Sequence, residues 1–82
     1  MALDPTRVHS RDDLAEFLEE LARRASTGSH EVENRSLPSY LEAAAGWVAD
    51  MHGYFNNRGE STPSTPDWSL VASIFLAATV YE

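Results

Sequence analysis

The sequence predicts an all-α protein, a compact bundle of three main helices in a single domain over residues 1–82. Two segments repeat apolar residues at intervals of three and four, which is the period of one helix face. A third segment opens with Thr65-Pro66 and is apolar almost all round, which is typical of a buried helix. A chain of 82 residues is also too short to form two hydrophobic cores.

The first helix is expected over residues 10–27, after an N-terminal arm at 1–9 that shows no periodicity. Ser10 is the predicted N-cap because its hydroxyl can accept an N–H of the first turn. Gly28 is the expected stop just beyond the last turn. The predicted inward face consists of Leu14, Phe17, Leu18, Leu21, Ala22 and Ala25.

The second helix is expected over residues 36–53, where Gly53 supplies the stop. Ser36 is the predicted N-cap, and Ser39 with Glu42 forms a competing capping box. The apolar residues at helical spacing are Leu37, Tyr40, Leu41, Ala44, Trp47, Val48 and Met51. Their number predicts that one side of this helix is buried.

A loop is expected over residues 54–64, and one short fourth helical turn near Tyr54 to Asn57 is the alternative. The third helix is expected over residues 65–81, with Thr65 as N-cap and Pro66 at the first helical position. A strand over residues 73–81 competes with it, but the alanines and the proline-led start favour a helix. Because it is apolar almost all round, we expect it to be the most buried element.

One small core should hold the helices together. In so small a core, truncating Trp47 or Phe75 to alanine should cost about 3–5 kcal/mol and unfold the protein. The predicted core residues are Leu14, Phe17, Leu18, Leu21, Leu41, Ala44, Trp47, Val48, Met51, Val71, Ile74, Phe75 and Ala78.

The charge of the chain indicates the kind of partner. Thirteen acidic and six basic residues give a formal net charge of −7. An acidic surface repels phosphate backbones and anionic lipids, so we expect no nucleic acid and no membrane as partners, and a basic protein instead. The absence of cysteine excludes a disulfide framework, and no apolar run reaches the roughly 18 residues of a spanning helix. These features predict a cytoplasmic protein.

No catalytic, cofactor-binding or metal site is predicted, and the protein is not expected to be an enzyme. His9, His30 and His52 stand singly, without the spacing of a zinc site. Neither a G-x-S-x-G turn nor a phosphate-binding glycine loop is present. The adjacent carboxylates in the first helix point about 100° apart, so they form a solvated face rather than an acid–base pair.

The segment between Trp47 and Trp68 holds the candidate partner-binding residues, because it combines aromatic anchors with polar groups. The alternative is that both tryptophans fill the core while the polar residues form turns and caps. Asp50 and Arg58 would then form an ion pair that fastens the loop onto the second helix. The candidate residues are Asp50, Tyr54, Asn57, Arg58 and Glu60.

The C-terminal three-fifths of the chain also resembles a known family. The residues that carry the resemblance are Glu33-Asn34-Arg35, Tyr40-Leu41-Glu42-Ala43, Trp47, Asp50-Met51, Gly53-Tyr54, Asn57-Arg58-Gly59-Glu60, Pro63, Pro66, Trp68, Ala77-Ala78 and Tyr81-Glu82. This pattern is similar to that of small acidic bacterial proteins known only as a domain of unknown function. His52 and Phe55 depart from it, where an acidic residue and a tyrosine are expected. The resemblance implies a bacterial, cytosolic, stand-alone protein and brings no activity with it.

Three functional hypotheses follow from these features. The leading one is a non-enzymatic, acidic protein-binding module, for example an immunity or antitoxin-like protein that covers the cationic active site of a toxin. The alternative is a homodimeric structural module whose exposed apolar helix surface is covered by a copy of itself. A third interpretation is an enzyme or small-ligand domain built on Asp50, Tyr54 and Arg58, which would require saturable binding of a metabolite.

Overall fold

The structure is a computed structural model and describes residues 3–81. Over these residues it contains three α-helices and one short 3-10 helix. In chain order the elements are the 3-10 helix Pro5–Arg7, α1 (Arg11–Thr27), α2 (Leu37–Asn57) and α3 (Trp68–Ala77). Between residues 3 and 81 there is no strand. This confirms the predicted all-α bundle of three main helices.

α1 begins and ends where its local sequence predicts. The Ser10 hydroxyl accepts the N–H of Asp13 at 3.1 Å and so caps the first turn. Gly28 follows the last turn in the left-handed region at φ 78°, a conformation that favours glycine. Phe17 and Leu21 are the buried residues of this helix. The inward face is narrower than predicted, since two of its expected members are exposed, namely Ala22 and Ala25.

α2 ends at Asn57, four residues later than predicted. Ser36 is the N-cap, and its hydroxyl accepts the N–H of Ser39 at 3.2 Å. Gly53 lies inside the helix instead of ending it, because Tyr54 beyond it packs on Trp47 and an internal glycine costs only about 1 kcal/mol. The predicted loop over residues 54–64 therefore begins too early. Residues 54–57 form the last turn of α2 and no separate fourth helical turn.

α3 is shorter than predicted at both ends. Its N-cap is Asp67, whose carboxylate accepts the N–H of Leu70 at 2.7 Å. The predicted cap, Thr65, and Pro66 lie in the preceding connection, because a carboxylate caps the helix dipole more strongly than a hydroxyl does. The helix ends at Ala77, and the chain continues in a turn over residues 78–80.

α3 is the central element of the bundle. It packs against α1, against α2 and against the 3-10 helix, whereas α1 and α2 make little direct contact. The N-terminal arm takes part in this packing, since Val8 is only 4% exposed and the Ser69 hydroxyl donates to the Pro5 carbonyl at 2.8 Å. The main cluster consists of Val8, Phe17, Leu21 and Ala72, flanked by Leu3, Leu14, Leu18 and Leu76.

Several predicted core residues lie at the surface instead. Leu41 is 56% exposed, Val48 is 42% exposed and Phe75 is 37% exposed. Trp68 is exposed as well, but it and Phe75 are the exposed residues of α3, which is the most buried of the three helices, as predicted. Leu41 and Val48 stay at the surface because α3, with ten residues, spans about 15 Å and covers one side of α2 only. The predicted cost of truncating Phe75 is accordingly too high.

The connection between α1 and α2 is fastened to the end of α3. The backbone N–H groups of Glu33 and Asn34 donate to the Thr79 carbonyl at 2.8 and 3.0 Å. The Asn34 side-chain amide donates to the carbonyls of Ala78 and Tyr81, each at 2.9 Å. These four bonds satisfy carbonyls of the segment that follows α3, and they hold the start of α2 beside it.

Candidate functional site

The structure brings three of the five predicted partner-binding residues together. Arg58 Nη1 donates to the Tyr54 hydroxyl at 2.6 Å, and its guanidinium carbon lies 5.3 Å from the centre of the Tyr54 ring. The Glu60 carboxylate lies 3.7 Å from the other terminal nitrogen of Arg58. Asn57 is exposed at the last position of α2. All of these contacts are local, within one turn of the end of α2.

Asp50 lies apart from this group and serves the C-terminal segment. The Tyr81 hydroxyl donates to its carboxylate, and this hydrogen bond raises the pKa of Tyr81. Gly46 leaves room for the Tyr81 ring, which would lie 3.2 Å from any Cβ at that position. The expected ion pair between Asp50 and Arg58 does not form, because eight residues along one helix separate them by about 12 Å.

An aromatic cluster supports the Tyr54 side chain. The Trp47 and Tyr54 rings lie 5.3 Å apart at 59°, and the Tyr54 and Phe55 rings meet edge to face at 5.1 Å. Trp47 is 6% exposed, so it is a core residue, as predicted. The groove beside this cluster holds about 180 Å³. That volume is below the roughly 300 Å³ at which ligand pockets begin.

A larger cleft, of about 800 Å³, lies between the N-terminal arm and α1. Leu3 from the arm and Phe17 from α1 give it an apolar lining, and both pack into or against the core cluster. Two arginines, Arg7 and Arg23, also line it. Its acidic residues are Asp4, Asp13, Glu16, Glu19 and Glu20. We call this feature the acidic cleft.

The arginines of the acidic cleft are already paired with carboxylates of the same cleft. Arg7 lies 3.8 Å from Asp4, and Arg23 pairs with Glu20. Arg24 adds a second ion pair to Glu20 at 2.6 Å. Hydrogen bonds from Arg23 and then Arg24 lower the pKa of Glu20 to about 2, so this carboxylate is ionised at neutral pH.

Other carboxylates of the cleft keep their charge available. Glu16 and Glu19 are exposed, and neither forms an ion pair within residues 3–81. Asp13 accepts the backbone N–H of His9 at 3.0 Å, which fixes the arm to the start of α1. The hydrogen bonds of Thr6 lower the pKa of Asp4, so this group also stays ionised at neutral pH. The cleft therefore presents a net negative surface with an apolar base.

The carboxylates of α1 are expected from the sequence on a solvated helix face, and the sequence does not predict the cleft. The spacing of Asp13, Glu16 and Glu20 shows that they share one side of α1. The opposite wall comes from the arm, which folds back because Val8 is buried against α3. That contact joins residues distant in the chain, and no local pattern predicts it.

Two other kinds of feature are missing from residues 3–81. No group of three or more His, Asp or Glu side chains is placed to hold a metal ion. Over the same residues, the length and apolar character of every helix fall short of what a membrane span requires.

Comparisons with known proteins give one positive finding. Neither the curated proteins nor the solved structures contain a match. A model of a family of unknown function, DUF7660, matches residues 10–82. The match confirms the resemblance seen in the C-terminal three-fifths of the chain and extends it over α1. The chain therefore belongs to DUF7660, a family of unknown function.

Proposed function

We propose that this protein is a non-enzymatic binding module that receives a basic segment of a partner protein in the acidic cleft. The observation that carries the proposal is the cleft itself, about 800 Å³ with five carboxylates around an apolar base. A pocket for a small uncharged ligand would place few polar groups around a mainly apolar wall. Here seven of the nine lining residues are charged, although apolar atoms make up most of the surface of the cleft.

The cleft matches the chemistry of lysine and arginine side chains. Their aliphatic stems pack on apolar surface while the charged ends stay at the polar rim. Leu3 and Phe17 offer the apolar surface, and Glu16 with Glu19 offers carboxylates that no internal cation neutralises. Charge-assisted hydrogen bonds of this kind are about twice as strong as neutral ones.

The net charge of the whole chain favours the same partner. At −7, it attracts a basic protein over a distance and speeds their encounter at low salt. An immunity or antitoxin protein is one specific form of such a module, because covering a cationic active site requires an acidic surface. We also propose a bacterial, cytoplasmic protein, since the absence of cysteine favours a reducing compartment.

Affinity capture from lysate of the native organism tests this proposal. The tagged protein is compared with a cleft variant, Glu16→Gln with Glu19→Gln, and with a matched variant, Glu31→Gln with Glu42→Gln. Both double variants remove two exposed carboxylates, so they change the net charge equally. We expect a basic protein to be captured by the parent and by the matched variant, and to be lost from the cleft variant.

Equal capture by the two double variants would contradict the cleft as the binding site. An Arg58→Ala variant in the same experiment tests the other candidate site. If this variant alone fails to capture the basic protein, the interface lies at the end of α2. The rate of association with the captured protein should fall steeply as salt is raised. A rate that does not depend on salt would contradict electrostatic recognition.

A further inference from the structure

One face of α2 is apolar and exposed. Leu37 is 69% exposed, Leu41 is 56% exposed and Val48 is 42% exposed. With Ala44 and Met51 they follow the spacing of a single helix face. We call these five residues the α2 stripe. Three large aliphatic side chains exposed along one face are more than the scattered apolar residues that monomer surfaces carry.

The α2 stripe is open because of the lengths of the two helices that pack together. α2 has 21 residues and α3 has ten, which correspond to about 31 Å and 15 Å. α3 is the principal neighbour of α2, and α1 packs on α3 instead. The residues of α2 that face inward are Ala43 and Trp47. The stripe lies on a different side of the helix and has no covering element within residues 3–81.

The distribution of charge indicates what covers the stripe. α2 contains two carboxylates, Glu42 and Asp50, no arginine or lysine, and one histidine, His52, whose ring lies 3.0 Å from the Thr62 hydroxyl. Neither acid belongs to the stripe, and the Asp50 carboxylate already accepts a hydrogen bond from the Tyr81 hydroxyl. A basic partner would therefore find no carboxylate to pair with on this face. Two copies of a chain with charge −7 repel each other, and they repel least when their uncharged faces meet.

We propose that the α2 stripe is the contact surface for a second copy of this chain, in an antiparallel α2–α2 pair. A two-fold axis between Ala44 and Ala45 would place Leu41 opposite Val48 of the second copy, and Leu37 opposite His52 and beside Met51 of the second copy. The surface is thus self-complementary, as a two-fold interface requires. The small alanines at the centre allow the two helices to approach at the lower end of the usual 8–10 Å.

The dimer should be weak and should leave the acidic cleft open. A contact between two helices is smaller than the roughly 1,600 Å² of a standard interface, and interfaces at the small end are typical of weak, transient complexes. The cleft lies between the arm and α1, outside the stripe. A monomeric variant is therefore expected to keep its binding of a basic partner, so the two proposals fail independently.

Sedimentation velocity of two matched variants tests the dimer. Val48 in the stripe is 42% exposed and Val80 outside it is 43% exposed. Val48→Arg and Val80→Arg therefore replace equally exposed valines and change the net charge equally. We expect the parent to show a concentration-dependent dimer. Val48→Arg should raise the dissociation constant at least tenfold, while Val80→Arg stays like the parent. Circular dichroism checks that both variants remain helical.

Single-cysteine cross-linking checks the geometry by a second route, because the chain has no cysteine of its own. Oxidation should link Ala44→Cys, which lies beside the proposed axis, much faster than Ala22→Cys on the exposed side of α1. A parent that stays monomeric across the micromolar range would overturn the proposal. So would a dimer that Val48→Arg leaves intact, or equal cross-linking of the two cysteine variants.

Discussion

Residues of the same type take different roles here according to their position in the bundle. Trp47 is 6% exposed and packs on Tyr54, whereas Trp68 is 43% exposed at the first position of α3. The Tyr54 hydroxyl in turn accepts a hydrogen bond from Arg58. The burial of each residue, rather than its type, determines how much a substitution costs.

The two tryptophans therefore respond differently to the same substitution. Trp47→Ala should lower the free energy of unfolding by about 3–5 kcal/mol, because it empties a core site. Trp68→Ala should cost no more than about 2 kcal/mol, since much of that side chain is already in water. Urea denaturation at neutral pH measures both. Equal costs would contradict the burial assigned to the two residues.

Glu20 predicts a specific loss of stability in acid. Its pKa is about 2 in the folded protein, held down by Arg23 and Arg24, against an ordinary value of 4.5. A lowered folded-state pKa stabilises the fold above the unfolded value, and this contribution is lost as the pH falls from 4.5 through about 2. Glu20→Gln should therefore be less stable than the parent at neutral pH.

The difference in stability between the parent and Glu20→Gln should shrink as the pH falls from 4.5 towards about 2. Thermal denaturation at a series of pH values measures it, with Glu19→Gln as the control from the same helix. Glu19 is exposed and forms no ion pair within the described part of the chain, so its variant should follow the parent. A constant difference across the range would argue against the Glu20 pairing.

At the scale of the elements, helix caps are set by short-range chemistry and by competition between neighbouring candidates. Ser10 and Ser36 cap α1 and α2 as their sequences predict. In α3 two candidates lie two residues apart, and the structure uses Asp67 rather than Thr65. A carboxylate combines the hydrogen bond with a favourable interaction with the helix dipole, which a hydroxyl lacks.

Substituting each candidate cap separates them. Asp67→Ala should destabilise the protein by about 1 kcal/mol, because the N–H of Leu70 loses its acceptor. Thr65→Ala, two residues earlier in the exposed connection, should change the free energy of unfolding by less than about 0.5 kcal/mol. Chemical denaturation of both variants gives the comparison. The reverse order would mean that α3 begins at the earlier position.

For the whole molecule, α3 joins the parts that do not otherwise meet. It carries α1, α2 and the 3-10 helix, and the connection before α2 is fastened to its end through Asn34. In this arrangement the arm and α1 form one side of the molecule, which carries the carboxylates of the acidic cleft. The exposed apolar face of α2 lies on another side. The two proposed binding surfaces follow from that separation.

Asn34 should therefore matter more than an asparagine in an ordinary connection. Asn34→Ala removes two hydrogen bonds and leaves the carbonyls of Ala78 and Tyr81 without this donor, which should cost about 2 kcal/mol. Asn57→Ala, at an exposed position, should cost less than about 0.5 kcal/mol. Thermal denaturation compares them. Equal stability of the two variants would contradict the role of Asn34 in joining α2 to α3.

How far the sequence predicts the fold depends on the range of the interactions involved. The three helices, the caps at Ser10 and Ser36 and the stop at Gly28 depend on residues within about four positions, and they are predicted from the sequence. The family is also recognised from the sequence, and its model matches residues 10–82. The end of α2 is not predicted, because Gly53 is a helix stop only when nothing beyond it packs, and here Tyr54 packs on Trp47.

The sequence by itself determined the fold class, the approximate helices and the acidic character of the chain, since all three follow from composition and short-range periodicity. Only the tertiary structure decided which apolar residues are buried, where the carboxylates form a cleft, and that Asp50 holds Tyr81 rather than Arg58. The physical reason is that burial and clefts arise from contacts between distant segments. A short α3 placed between two longer helices shields one face of each and leaves the other open.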